Sequence, residues 1–245
     1  MERKRYHLIV ILLFFFTISL YGSNKSEIYR AYINNLMPAW KGIIDQMQSQ
    51  REKSNELRFE LLNYQYGYIA WCIGNNQKDE ASDYLKLAED NLQRLESEKF
   101  NLSRISGYKA AFYGFHIGLN IFSAPFIGPK SVASAKLAIS LDPDDFFGYI
   151  QTGNVQFHAP ALFGGSKQEA LRNYLKAKVL MEKDTIAIRD DWNYLSLLTS
   201  IAENYKVLND DAHAKLVYQE ILKAEPDFKW VRDELYPKLL KNLKQ

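Results

Sequence analysis

The stretch LSLLTSIAENYKVLNDDAHAKLVYQEILKAEPDF, from Leu195 to Phe228, decides the fold. Its apolar and small residues recur three and four positions apart, which predicts two amphipathic helices. The face that the two helices share consists of Leu198, Ile201, Ala202, Tyr205, Ala214, Tyr218 and Ile221. The run Asn209-Asp210-Asp211 predicts the turn between the helices, and Pro226 predicts the end of the second one.

This unit is 34 residues long. The small residues Ala202 and Ala214 allow its two helices to approach closely, and the tyrosines beside them fill the remaining space. In this spacing the unit resembles the tetratricopeptide repeat, because its small, aromatic and proline positions all fall in register. The resemblance implies a right-handed solenoid of helical hairpins, in which the first helix of each pair lines a concave binding face.

The second-helix pattern recurs upstream. It is found at Ala170, Tyr174 and Ala177, more faintly at Ala81, Leu85 and Ala88, and in the helix end from Ala138 to Pro143. We therefore predict an all-α domain over residues 23–245, with hairpins at about 26–50, 54–98, 102–142, 144–182 and 190–225. An amphipathic helix at 229–243 is expected to cap the last hairpin, because a repeat buries its apolar face only against a neighbour.

Two segments depart from the repeat pattern. Ser123–Lys130 and His158–Lys167 are both too long for a simple inter-helix turn, and each contains an Ala-Pro step. We expect both to form loops that project from the same side of the stack, with Gly164-Gly165 permitting an unusual backbone turn. The second loop, followed by an Ala-rich helix, also resembles the exported T-component proteins of TRAP transporters.

The N-terminus predicts export. Arg3, Lys4 and Arg5 precede an uncharged apolar run, Leu8–Leu20, which is the layout of a secretory signal peptide over residues 1–22. The run is shorter than a comfortable membrane span, which makes an uncleaved anchor the second interpretation. No cysteine lies near the junction for lipid attachment. The sequence thus predicts a periplasmic or cell-envelope protein that contacts the membrane only through this segment, and only if it is uncleaved.

Charge and cysteine content exclude several functions. Residues 1–22 contain three basic residues and one acidic residue, and the rest of the chain has equal numbers of each. No basic field remains to attract nucleic acid or anionic lipid. Cys72 is the only cysteine, so there is no intramolecular disulfide and no cysteine-based zinc site, and a buried thiol is expected. No spacing of histidines predicts a metal site, and no cofactor is expected.

The acidic clusters predict helix caps. Asp142-Pro143-Asp144-Asp145 and Asp190-Asp191 each precede a predicted helix, where carboxylates accept hydrogen bonds from free amides and suit the helix dipole. No nucleophile motif, P-loop or dinucleotide fingerprint is found. We therefore expect no catalytic residues and no enzyme activity.

Two functions remain open. The first is an interaction module that binds a peptide or protein partner on the concave face. The second is a periplasmic small-ligand-binding or transport-accessory protein with an aromatic pocket under the two long loops, 123–130 and 158–167. The candidate binding residues are Gln151, Asn154, His158, Phe163, Thr199, Glu203 and Lys206.

Overall fold

A computed structural model describes residues 23–243, and the predicted signal peptide lies outside these residues. The described part contains eleven α-helices and no β-strand, which confirms the all-α prediction. The helices are α1 Ser23–Ile33, α2 Met37–Ser49, α3 Asn55–Gly74, α4 Lys78–Ser97, α5 Leu102–Leu119, α6 Ala124–Leu141, α7 Phe146–His158, α8 Lys167–Met181, α9 Trp192–Val207, α10 Asp211–Ala224 and α11 Tyr236–Asn242.

Helices that are adjacent in the chain pack in pairs. The pairs are α1–α2, α3–α4, α5–α6, α7–α8 and α9–α10, and each of the first four also contacts the pair that follows it. In the last pair Ala202, Ala214 and Tyr218 are fully buried, so small side chains bring the helices together and the tyrosine fills the space beside them. Cys72 is buried as expected, and burial raises the pKa of its thiol to about 11. The right-handed solenoid and the tetratricopeptide assignment stay predictions.

Polar side chains cap most of the helices at their N-termini. Asp145 accepts from the backbone amide of Phe147, and Asp191 accepts from that of Asn193. Both acidic clusters therefore provide helix caps, as predicted from their positions. Ser54, Asn101, Ser166 and Asp210 cap α3, α5, α8 and α10 in the same way. Such caps satisfy amides that have no partner within the helix.

The turns inside the hairpins are of two kinds. In the first, second and fifth hairpins the turn contains an asparagine in the left-handed conformation, namely Asn35, Asn76 or Asn209. Asparagine tolerates this conformation better than most residues, and it produces a short polar turn. The third and fourth hairpins instead turn through the 3₁₀ segments Ile121–Ser123 and Ala161–Phe163.

The expectation of a loop at 123–130 is wrong. The connection between α5 and α6 ends at Ser123, and α6 begins at Ala124. Pro125 lies in the first turn of α6, where a missing backbone N–H costs nothing because that group has no intrahelical partner. The second proline, Pro129, also lies inside α6. Pro125 therefore lies at the start of this helix, and Pro129 is accommodated within it.

The connection between α7 and α8 is the loop expected at 158–167. Gly164 has φ +84°, and a Cβ atom on Gly165 would lie only 1.8 Å from the carbonyl oxygen of Ala159. The glycine doublet therefore permits an unusual turn, as predicted. The loop is tied to α7, because the amide of Ser166 donates to the carbonyl of Gln156 at 2.9 Å.

The first and last hairpins are in contact through α1. Tyr29 donates to the carboxylate of Glu225 at 2.8 Å, and the ring of Tyr32 lies 5.0 Å from that of Phe228 and 5.9 Å from that of Trp192. Helix α2 adds Trp40, whose ring is 5.0 Å from that of Trp192. The N-terminal pair therefore bridges α3 and α9, which an open row of repeats would not do.

The C-terminal segment covers the apolar face of the last hairpin. It begins with a π-helical turn, Trp230–Leu235, and continues as α11. Phe228, Val231 and Leu239 are fully buried in the same cluster as Ala214 and Tyr218. Among residues 23–243 no helix is long and apolar enough to span a membrane.

Candidate binding site

A small polar recess lies where α3, α7 and α9 meet. Its volume is about 30 Å³. The lining side chains are Tyr66 from α3, Phe147, Ile150 and Asn154 from α7, and Trp192, Asn193, Ser196, Leu197 and Ser200 from α9. These are the first helices of the second, fourth and fifth hairpins. The resemblance to the tetratricopeptide repeat predicts that the first helix of each hairpin lines the binding face.

Two predicted site residues converge on Tyr66. Gln151 donates to the Tyr66 hydroxyl oxygen at 3.1 Å and Asn154 donates to it at 3.5 Å. Asn154 also donates to the side-chain oxygen (Oε1) of Gln151 at 3.1 Å and accepts from the Tyr174 hydroxyl at 2.8 Å. Residues far apart in the chain thus form one hydrogen-bonded network at the edge of the recess.

The recess has donors without acceptors. The Tyr66 oxygen accepts twice, and its own proton has no acceptor within residues 23–243. Trp192 is 6% exposed, and its buried indole N–H also lacks a partner in this part of the chain. Burial raises the pKa of the Tyr66 hydroxyl, and the hydrogen bonds from Gln151 and Asn154 lower it by less. The hydroxyl is therefore protonated at neutral pH and can donate a hydrogen bond. A buried donor is costly to leave unpaired.

The remaining predicted residues lie elsewhere. Thr199 is buried and donates to the Leu195 carbonyl of its own helix at 2.8 Å, so the expectation that it lines an open face is wrong. Glu203 is paired with Lys206 at 2.8 Å and also accepts from the Tyr218 hydroxyl. The side chains of Glu203 and Lys206 therefore already have partners within the last hairpin.

His158 and Phe163 lie on the surface around the α7–α8 connection. The His158 ring packs edge-on against Phe157, with 5.0 Å between the ring centroids. Phe163 is 65% exposed, so it does not line the enclosed aromatic pocket that was expected under this loop. Lys167 donates to the Phe157 carbonyl, and its ammonium lies 4.0 Å from the centre of the Phe157 ring.

Sequence reasoning missed Tyr66 and Trp192. Tyr66 belongs to an aromatic run, Tyr64–Trp71, in which nothing distinguishes a lining residue from a core residue. Trp192 follows the Asp190-Asp191 cluster, and that cluster indicated only a helix cap. The sequence pattern that indicated the recess was the three-residue spacing of two polar side chains, Gln151 and Asn154. It identified the side formed by α7 and not the sides formed by α3 and α9.

A second cavity, of about 110 Å³, lies between α8 and α10 over α9. Its charged groups are already paired. Lys178 contacts Glu220 at 2.9 Å and Glu182 at 3.1 Å, and His213 contacts Asp210 at 2.7 Å. With no polar group in need of a partner, this cavity is a weaker candidate than the recess.

The sequence matches no known protein-family model and no curated protein sequence. Among solved structures, the fold is similar to that of the HusA haemophore from Porphyromonas gingivalis. The TM-score is 0.57 with 17% sequence identity, and the match covers 75% of this chain and 94% of the haemophore. At this identity the likeness concerns the all-helical fold.

Proposed function

We propose that this chain is an exported binding protein that holds an extended peptide or protein segment on the face formed by α3, α7 and α9. The observation that carries the proposal is the recess lined by Tyr66 and Trp192, because the Trp192 N–H is a buried donor without a partner among residues 23–243 and the Tyr66 hydroxyl accepts two hydrogen bonds there. A recess of about 30 Å³ has room for a water or one carbonyl oxygen. The partner would therefore insert one acceptor, and the rest of it would lie across the helices.

Replacing Trp192 with phenylalanine tests this function. The substitution removes the unpaired N–H and keeps an aromatic ring against Trp40 and Tyr32. We expect the partner to bind about 3- to 10-fold more weakly, as for one lost hydrogen bond. Native mass spectrometry of protein purified from its exported fraction, without refolding, should show a co-purifying partner on the wild type and less of it on Trp192→Phe.

A matched control is Trp230→Phe, because Trp230 is 39% exposed and belongs to the C-terminal cap. This variant should retain the partner as the wild type does. Equal retention by Trp192→Phe, or a wild type that carries no partner at all, would contradict the proposal.

His158 supports a second candidate function, haem binding. Its imidazole is exposed and lies edge-on to the ring of Phe157, and an exposed imidazole beside an aromatic ring suits ligation of haem iron. The similar solved structure is a haemophore by name. A titration with haemin should give a shifted Soret band that His158→Ala abolishes. His213→Ala is the control, because His213 is also exposed but is paired with Asp210. An unshifted band in the wild type would exclude this function.

A further inference from the structure

Of the six most exposed large apolar side chains of the described residues, five lie at or next to the turns of the third and fourth hairpins, and the sixth is Ile186 between α8 and α9. We call these five residues the apolar tips: Ile121 (66% exposed), Phe122 (84%), Phe126 (79%), Leu162 (87%) and Phe163 (65%). Neither of the two cavities described above includes any of them. These side chains protrude into solvent, whereas a protein of this size ordinarily buries such side chains or uses them for binding.

The apolar tips lie at the same end of the molecule. Helix α6 packs on both α5 and α7, and α5 also packs on α7. Because a hairpin reverses the chain, α5 and α7 run in the same direction, each antiparallel to α6. The C-terminal ends of α5 and α7, from which the two turns extend, are therefore neighbours.

Hydrogen bonds hold the two turns in place. The Asn120 side chain accepts from the amide of Phe122 at 3.2 Å, and the amide of Phe163 donates to the Pro160 carbonyl at 2.9 Å. The apolar side chains are therefore presented to solvent by ordered backbone. The other three hairpins have short turns built on asparagine, and the large apolar side chains exposed at or next to those turns are Leu36 (52%) and Val207 (50%).

The apolar tips lie in two stretches of the sequence that lack acidic residues. The sequence has no acidic residue between Glu98 and Asp142, and none between Asp145 and Glu169. Lys130 lies one helical turn beyond Phe126, is exposed, and forms no ion pair within residues 23–243. Two acidic residues follow the turn of the second hairpin (Asp79 and Glu80) and that of the fifth (Asp210 and Asp211), whereas the fourth is followed by Glu169 alone, which is paired with Arg172.

We propose that the apolar tips insert into the interfacial region of an anionic lipid bilayer, with Lys130 at the level of the headgroups. Protruding apolar side chains suit a fluid surface that closes around them, whereas a folded protein partner needs complementary shape. A cation beside the inserted side chains attracts anionic headgroups. The acidic turns of the second and fifth hairpins would remain in water and so fix the orientation. This surface is separate from the recess and does not depend on the function proposed above.

Vesicle co-flotation tests the proposal with protein purified from the exported fraction. The wild type should bind vesicles of phosphatidylcholine with phosphatidylglycerol and bind pure phosphatidylcholine more weakly. The double variant Phe122→Ser/Phe126→Ser should lose at least about tenfold in binding, because two apolar insertions are removed. Lys130→Glu should weaken binding to the anionic vesicles and leave the weaker binding to neutral ones unchanged.

The control is Val179→Ser on α8, which also replaces an exposed apolar side chain (58%) but lies outside the turns. It should bind vesicles as the wild type does. Unchanged flotation of the double variant, or equal binding to neutral and anionic vesicles, would overturn the proposal. So would self-association of the wild type that the double variant abolishes, because the tips would then contact a second copy. The double variant should still retain the partner held at the recess, so the two proposals fail separately.

Discussion

Replacement of Trp40 with alanine is expected to lower the free energy of unfolding by about 3–5 kcal/mol, the usual cost of deleting a large buried aromatic side chain. Trp40 is 1% exposed, its indole N–H donates to the Tyr64 carbonyl at 3.0 Å, and its ring lies edge-on to Tyr32 and Trp192. The substitution removes contacts to three helices at once and leaves a carbonyl without its donor. Urea denaturation followed by circular dichroism measures the change.

The matched control for Trp40→Ala is Leu36→Ala, because Leu36 is 52% exposed and lies in the turn that precedes α2. It should change the unfolding free energy by less than about 0.5 kcal/mol. A Trp40→Ala variant as stable as this control would show that α2 does not pack against α9.

Replacement of Phe228 with alanine is expected to destabilise the protein by a similar amount, about 3–5 kcal/mol. Phe228 is fully buried, and its nearest aromatic neighbour is Tyr32 of α1, at 5.0 Å. The loss of stability should therefore also affect α1, which lies far from Phe228 along the chain. Hydrogen exchange measured by mass spectrometry should show faster exchange in α1 together with the C-terminal segment.

Trp230→Ala is the control for Phe228, since Trp230 lies two residues away and is 39% exposed. It should leave exchange in α1 unchanged. If Phe228→Ala sped up exchange only in α10 and α11, the contact between the two ends of the chain would not contribute to stability.

The helices themselves could be predicted because their signals are local. Apolar periodicity, caps such as Asp145 and Asp191, and the terminating Pro143 and Pro226 each act within a few residues. The prediction failed at Ser123–Lys130, where the length of the segment and its Ala-Pro step suggested a loop. The proline of that step, Pro125, is compatible with the start of a helix, so composition alone could not distinguish the two outcomes.

The candidate site could be predicted only in part. Gln151 and Asn154 lie three residues apart on one helix, and such spacing is visible in a sequence. Their partner Tyr66 lies 85 and 88 residues away along the chain, and the unpaired N–H of Trp192 is a property of the assembled core. Unpaired donors arise from packing among several helices, and no local pattern encodes them.

The bridge from α1 to the last hairpin limits how this protein can evolve. Repeat proteins commonly change length by duplication or loss of a unit, because each unit contacts only its neighbours. Here one additional helical pair would move Phe228 away from Tyr32 by about 10 Å, the spacing of packed helices, and the present separation of their rings is 5.0 Å. Duplication would therefore expose both rings and break the bond from Tyr29 to Glu225. We expect natural relatives that keep these aromatic residues to keep five hairpins and to vary in the lengths of their turns.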